Sequence, residues 1–199
     1  WHKDYTRPQL LKFFLPSRDS HAAAYYDWGS ELETEWKENY KLWMAFINEY
    51  KNRGGRVTAG SDSGYMYNLY GFGFVQELEL LREAGFHPME VIRAGTLHAA
   101  EAIGMEDKIG TVEVGKLADL ILMDENPLKN LKYFYATGDI KLDEENDVVR
   151  VGGVEKTIKD GIVYDARLLL EDVKKIVDEE KSKTPDWKSL LYESIGRKN

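Results

Sequence analysis

The sequence contains no cysteine, which excludes disulfides and metal sites built from thiolates. Any transition-metal site must therefore use histidine and carboxylate ligands. The histidines offer neither a His-x-His pair nor two residues four positions apart on one helix; they are His2, His21, His87 and His98. We expect His98 to be a packing or surface residue, His87 to lie at a helix entry, and His21 to be at most a substrate contact. This chain alone is not predicted to form a complete catalytic metal site.

Long apolar runs are also missing. No stretch approaches the roughly 20 apolar residues that span a bilayer, and no apolar signal segment opens the chain. The net charge is −8, and the lysines and arginines are scattered along the sequence. The chain therefore lacks the basic face that binding of nucleic acid requires. With 199 residues, 43% of them hydrophobic, the chain can bury a core. We expect a cytoplasmic protein that binds a small molecule and neither nucleic acid nor a membrane.

Apolar spacing predicts a helix that opens at Ser30, with Glu33 as its capping-box partner. Gly54 and Gly55 end it. Its apolar stripe is predicted to be a packed face: Trp36, Tyr40, Trp43, Ile47 and Tyr50. The preceding residues, 1–29, are aromatic-rich and are predicted to be irregular.

The next segment alternates one predicted strand with helices. Arg56–Gly60 is predicted as a buried strand, and helices are predicted over residues 74–84 and 88–103, each followed by a glycine. A strand between helices is typical of a βα fold.

From residue 109 the pattern changes to short β segments, which indicates a separate layer. The strongest predicted strand is Leu117–Met123, and Thr157–Tyr164 is predicted to form a hairpin with Asp-Gly at its turn. Residues 137–147 are polar and are predicted to be a loop. Asp165 is predicted to cap a last helix whose stripe is Leu169, Val173, Ile176 and Val177.

Asp62 follows the predicted strand closely and has small neighbours on both sides. In βα barrels, residues at the C-terminal ends of the strands line the active site, and small neighbours let a ligand approach. The same sequence, Ser-Asp-Ser-Gly, is also typical of a turn whose aspartate accepts backbone hydrogen bonds. Spacing alone leaves both interpretations open. Neither a Gly-x-Ser-x-Gly elbow nor a P-loop lysine offers another catalytic centre.

Four stretches, in order, resemble the C-terminal third of the amidohydrolase superfamily, nearest its imidazolonepropionase and prolidase-like branch. Thr58–Ser63 resembles the end of the eighth barrel strand, and residues 77–90 resemble the following helix and turn. Ala94–Gly104 resembles the terminal barrel helix. The most diagnostic stretch is Ile109–Leu120, followed by Asp124-Glu-Asn-Pro-Leu. Together they cover about half of the chain.

This resemblance implies a metal-dependent hydrolase of C–N bonds in amides or cyclic amides, and possibly in dipeptides. It implies that Asp62 contacts a divalent metal, with zinc the expected ion, and takes a proton from the water that the metal activates. Ser63 and Tyr65 lie just beyond Asp62 and are expected to face the substrate.

The expected fold class is α/β: the C-terminal part of a (β/α)8 (TIM) barrel plus the C-terminal strands of a small composite β-sandwich. Residues 1–104 would be the last part of the barrel, 105–165 the sandwich strands, and 166–199 a C-terminal helix and tail. A full barrel needs about 250 residues, and the family's His-x-His is absent. We therefore expect a fragment, inactive alone, whose partner is the missing N-terminal half or a second copy. The alternative is a non-catalytic binding or assembly protein with an amidohydrolase-derived fold.

Overall fold

The computed structural model describes residues 2–14, 28–64 and 68–189. Its helices are α1 (Pro8–Phe14), α2 (Ser30–Asn52), α3 (Gly73–Glu83), α4 (Pro88–Ala94), α5 (Leu97–Ala102) and α6 (Ala166–Lys183). Its strands are β1 (Leu120–Met123), β2 (Asp139–Leu142), β3 (Val148–Val151), β4 (Val154–Lys159) and β5 (Ile162–Asp165). Short 3-10 helices lie at His2–Tyr5 and Leu131–Phe134. Within these ranges no helix has both the length and the apolar character needed to cross a bilayer.

The predicted start of α2 at Ser30 is confirmed, but the predicted capping box is wrong. Gly29 is the N-cap and makes no side-chain capping bond, so Ser30 is the first helical residue. The helix ends at Asn52, and Gly54 follows with φ +89°, a conformation that glycine adopts without a Cβ penalty. Residues 2–14, predicted to be irregular, instead contain α1, with Pro8 at its first position, where a proline fits.

The aromatic stripe of α2 is largely uncovered by the described residues, so its prediction as a packed face is wrong for most of its length. No residue of α2 is buried, and the Trp43 side chain is 53% exposed. The tryptophans contact one another instead: the ring centroids of Trp36 and Trp43 lie 5.6 Å apart. Of the apolar residues of this helix, Met44 and Ile47 pack against the buried core.

The core joins α3, α4 and the 3-10 helix at Leu131–Phe134. Its buried members are Leu78, Leu81, Ala84, Phe86, Val91, Ala94 and Leu131. A second buried cluster joins α1 to α3 through Phe14, Leu69, Phe72, Val75 and Tyr135. Phe134 packs against both clusters, so they form one continuous apolar layer beneath the loop that precedes α3.

The helix predicted over 88–103 is broken in two. Its first part, α4, ends at Ala94, and Thr96 has φ −130° and ψ −89°, which are not helical. The Thr96 hydroxyl donates to the carbonyl of Ile92 at 2.7 Å, an alternative to the backbone ladder. A Cβ at Gly95 would lie 3.1 Å from the ring of Phe74, so this glycine lets α3 approach closely.

In the β region the predicted hairpin over Thr157–Tyr164 is confirmed, and the predicted loop over residues 137–147 is wrong. β4 and β5 pair antiparallel, with Lys159 opposite Ile162 across the Asp-Gly turn, and β1 joins β4 to complete a three-stranded sheet. β1 is shorter than the predicted strand Leu117–Met123. Residues 137–147, predicted to be a loop, contain β2, which pairs with β3 in a separate hairpin. Asp143 closes it, because its Oδ1 accepts from the backbone of Glu145 and Asp147 at 3.0 and 2.8 Å.

Asp165 caps α6 as predicted: its Oδ1 accepts from the backbone nitrogens of Arg167 and Leu168 at 3.0 and 3.1 Å. The predicted stripe of α6 is buried only at Val177, which is 2% exposed. The helix packs on the N-terminal segment, where Gln9 Nε2 donates to Glu180 Oε2 at 3.1 Å. The two ends of the described chain therefore lie side by side.

Candidate active site

Residues Arg56–Gly60 form no strand, which corrects the prediction of a buried one. The side chains of this segment nevertheless alternate between packed and exposed positions, as those of a strand do. Val57 and Ala59 pack against the core, and their neighbours are exposed. The Ala59 backbone nitrogen donates to the carbonyl of Ala94 at 3.1 Å. Strand pairing needs a neighbouring strand, and the part of the chain that the structure describes places none beside this segment.

His98 fixes the start of this segment to α5. Its Nδ1 lies 3.2 Å from the Val57 carbonyl oxygen, and because a carbonyl only accepts, Nδ1 carries the proton. Arg56 adds an ion pair to Glu101 at 2.9 Å, with the arginine side chain 68% exposed. His98 is half-buried and bonded to the backbone, a placement that agrees with the expectation of a packing or surface residue.

Asp62 lies at the end of the docked segment with its side chain exposed. Its φ of +46° falls in the left-handed region, which aspartate tolerates better than most residues. Over 2–14, 28–64 and 68–189, no group hydrogen-bonds or forms an ion pair with its carboxylate. A turn does form at Ser63 and Gly64, as the turn interpretation predicted, but within these residues the Asp62 carboxylate accepts no backbone hydrogen bond. The carboxylate is accessible to a ligand.

The residues around Asp62 are joined by hydrogen bonds. Ser61 Oγ and Ser63 Oγ lie 2.8 Å apart, and Ser63 Oγ lies 3.4 Å from Asn68 Oδ1. The Asn68 side-chain nitrogen donates to the Ser61 carbonyl, and the Asn68 carbonyl accepts from Gly64 at 2.7 Å. Asn68 is not among the site residues predicted from the sequence, where its only signal is its place in the loop before α3.

The other residues singled out in the sequence do not join this loop. His21 and Tyr65 lie outside the described residues. His87 is the N-cap of α4, as expected for a helix entry, and its backbone nitrogen donates to Glu90 Oε2 at 2.8 Å. Hydrogen bonds from Lys51 and from the His87 backbone lower the Glu90 pKa. This cluster caps a helix.

Asp62 fits a divalent metal as a single oxygen ligand. A zinc site takes three or four protein ligands, and no group of three or more histidine, aspartate or glutamate side chains that could hold a metal occurs among the described residues. Of the described residues, Asp62 would supply one carboxylate to such a site.

An apolar cleft of about 630 Å³ opens between α3, α5 and β1. Its walls include Phe74, Ile103, Ile109, Leu117 and Ile121, and residues 61–64 do not line it. The cleft is thus an uncovered apolar surface of the sheet and helices, separate from the Asp62 loop.

These features define a mixed α/β protein with an exposed carboxylate at the end of an extended segment. The chain belongs to the amidohydrolase family, whose model matches residues 41–163. An imidazolonepropionase from Symbiobacterium thermophilum is 36% identical over 87 residues, which are 41% of this chain and 19% of that protein. A 5'-deoxyadenosine deaminase from Methanobrevibacter smithii is 44% identical over 52 residues, or 26% of this chain and 12% of that protein.

A solved structure shares the fold. A prolidase in complex with N-methylphosphonate-L-proline superposes with a TM-score of 0.51 and 22% sequence identity, over 78% of this chain and 33% of that one. The matched residues span 12% to 25% of the length of the curated relatives.

Proposed function

We propose that the protein containing this chain is a metal-dependent hydrolase of C–N bonds and that Asp62 is its catalytic carboxylate. The observation that carries the proposal is the state of Asp62. The chain belongs to the amidohydrolase family, and among the described residues this carboxylate is exposed and has no partner. It lies just beyond the segment whose residues Val57 and Ala59 pack against the core. Structural carboxylates of this chain are instead bonded, as Asp165 is at the start of α6.

The position of Asp62 supports placing the chain in a barrel. Val57 and Ala59 face the helices, and Thr58 and Gly60 are exposed, as expected for the last strand of a (β/α)8 barrel whose neighbours come from other chain segments. Residues 1–104 would then be the last part of the barrel. Residues 105–165 would be strands of a composite β-sandwich, and residues 166–199 a C-terminal helix and tail.

Two uncovered surfaces support the proposal that this chain is part of a longer enzyme. The aromatic face of α2 and the cleft beside β1 are both apolar, and monomeric proteins rarely leave large contiguous apolar patches exposed. The N-terminal half of the enzyme would cover them and supply the remaining metal ligands. The isolated chain is then inactive. Pairing with a second copy of the same chain is the other way to cover these surfaces.

The chemistry assigned to Asp62 is proton transfer. A divalent metal, for which we propose zinc, would lower the pKa of water towards neutrality and polarise the bond to be cleaved. The Asp62 carboxylate accepts the proton of the attacking water and returns it to the leaving nitrogen, which departs as an amine. Because its side chain is exposed and unpaired, it can reach both groups without breaking an internal bond.

The substrate class is a small molecule with a C–N bond. The names of the relatives include an imidazolonepropionase and a deaminase, which favours cyclic amides and amines over polymers. Ser63 and Tyr65 are proposed to face this substrate. Ser63 Oγ already contacts Ser61 Oγ and Asn68 Oδ1, so it would offer the substrate an acceptor rather than a proton.

The test is a turnover assay of the complete protein, purified without chelators, on cyclic amides, amino-substituted nucleosides and dipeptides. We expect hydrolysis of at least one class, its loss after chelation, and its return with Zn²⁺. Failure of every class, in a folded protein that retains no metal, would contradict the proposal and favour a non-catalytic binding protein.

A further inference from the structure

The loop around Asp62 is closed by one residue of the next loop. Asn68 contacts three residues that surround Asp62: its side-chain nitrogen donates to the Ser61 carbonyl, its Oδ1 lies 3.4 Å from Ser63 Oγ, and its own carbonyl accepts from the Gly64 nitrogen at 2.7 Å. Asp62 itself takes no part in these bonds. The side chain of Asn68 is therefore a clamp across the Asp62 loop.

The hydrogen-bond directions in this clamp follow from its donors. The Asn68 amide donates to a carbonyl, so its Oδ1 is left to accept, and Ser63 Oγ can donate to it. The single Ser63 proton has a second acceptor in the Leu69 carbonyl, also at 3.4 Å, and in the 2.8 Å contact between the two serines either hydroxyl can be the donor. The chain of bonds runs from Ser61 to Ser63 to Asn68 and returns to the Ser61 backbone.

The clamp holds a backbone conformation that Asp62 does not favour by itself. Its φ of +46° is left-handed, and such conformations persist where the surrounding structure determines them. Bonds to Ser61 on one side, and to Ser63 and Gly64 on the other, fix both peptide neighbours of Asp62. The direction of the Asp62 Cα–Cβ bond is thereby fixed as well.

The absence of a side chain at Gly73 is a second indication that this clamp needs space. It is the first residue of α3, is buried and does not have a positive φ, so its backbone does not require glycine. A Cβ at this position would overlap the Asn68 side chain and lie 2.6 Å from Ser63 Oγ. A glycine here keeps the room that Asn68 and Ser63 occupy.

We propose that Asn68 is a positioning residue for Asp62, acting through Ser61, Ser63 and Gly64. This inference rests on the proposed function, because it assumes that the Asp62 carboxylate contacts the metal and the reacting water. Asn68 touches neither; it sets the direction of the Cα–Cβ bond that carries the carboxylate. Displacing a reacting group by about 1 Å can lower a rate by up to about 100-fold, so loss of the clamp should act on kcat more than on KM.

The experiment uses Asn68→Ala in the complete, metal-loaded protein, with Asn126→Ala as the matched control. Asn126 also serves a local turn, accepting from the Leu128 nitrogen at 2.9 Å, but it lies outside this loop. We expect Asn68→Ala to lower kcat about 10-fold or more at nearly unchanged KM. Zn²⁺ affinity, measured by competition with a chromophoric chelator, should fall by about 10-fold. Asn126→Ala should change neither quantity.

If Asn68→Ala does not fold, as judged by thermal unfolding, Gly73→Ala decides the question, because it displaces Asn68 without removing it. Equal kcat and Zn²⁺ affinity in the variant and the Asn126→Ala control would overturn the inference. Asp62→Asn is measured in parallel to separate the two claims. Full turnover in Asp62→Asn would reject the proposed function; an inactive Asp62→Asn beside a fully active Asn68→Ala would reject only the role of Asn68.

Discussion

The Nδ1 atom of His98 lies 3.2 Å from the carbonyl oxygen of Val57, which joins α5 to the segment that leads to Asp62. Four residues separate Val57 from Asp62 along the chain, and one of them, Ala59, makes the backbone bond to Ala94. The helices therefore hold the segment before Asp62 through the His98 bond, the Arg56–Glu101 ion pair and the Ala59 backbone bond.

Replacing His98 by alanine should destabilise the chain by about 1 kcal/mol or more, because the half-buried Val57 carbonyl loses its donor. Arg56→Ala is the matched comparison, since it removes the other side-chain link between this segment and α5. That ion pair is exposed, so its loss should cost no more than about 0.5 kcal/mol. Urea unfolding of the two variants measures both values. Equal costs would show that the histidine bond does not hold the segment.

The hairpin β4–β5 should depend on pH through Asp119. A hydrogen bond from Lys159, and then one from the Asp160 backbone nitrogen, lower the pKa of the Asp119 carboxyl. Its contribution to stability is therefore present above the unfolded value of about 3.9 and is lost as the pH falls through the lower folded value. Lys159 has its pKa raised by the Asp119 bond, so its contribution is lost only at high pH, as the pH rises through the raised folded value.

The corresponding experiment compares Asp119→Asn with wild type by thermal unfolding from about pH 2 to about pH 7. The difference in Tm between wild type and Asp119→Asn should be largest near neutral pH and should shrink as the pH falls through the pKa of Asp119. Asp172→Asn is the control: it removes one carboxylate of an exposed helix pair, 3.4 Å from Lys175, away from the hairpin. A difference for Asp119→Asn that stays constant with pH would contradict the assigned pairing.

The aromatic face of α2 yields a prediction about the uncovered surface. Trp43 and Phe46 are 53% and 68% exposed, so replacing both by glutamine should leave the stability of the isolated chain nearly unchanged and reduce its self-association. In the complete enzyme the same change should destabilise by several kcal/mol, because buried aromatic side chains contribute about 3–5 kcal/mol each. Unfolding curves of both forms test this. An equally small effect in the complete enzyme would mean that this face stays exposed.

Local signals in the sequence predicted the features that local geometry determines. The turn between β4 and β5 follows from Asp160 and Gly161, which take φ of +49° and +79°, and the ends of α2 and α3 follow from the glycines after them. The strand predicted over 56–60 was wrong because a strand depends on a neighbour that spacing cannot show. The break at Thr96 depends on a threonine bond to Ile92, which helix periodicity does not reveal.

The residues of the candidate site also differ in whether the sequence could predict them. Asp62 could be selected because small residues flank it and because the surrounding stretch resembles a known family. Asn68 could not, since its contacts to Ser61 and Gly64 exist only once the loop is folded. The assignments of Ser63 and Tyr65 as substrate contacts remain predictions.

The most direct measurement of the central claim is kcat of the complete enzyme carrying Asp62→Asn. Asp160→Asn is its matched control, because Asp160 also has a left-handed backbone, with φ +49° against +46° for Asp62, and lies in the β4–β5 turn. We predict that Asp62→Asn lowers kcat by about 10²–10⁴-fold with a Tm close to that of wild type, and that Asp160→Asn retains full turnover. A kcat of Asp62→Asn equal to that of the control would show that Asp62 is not the catalytic carboxylate.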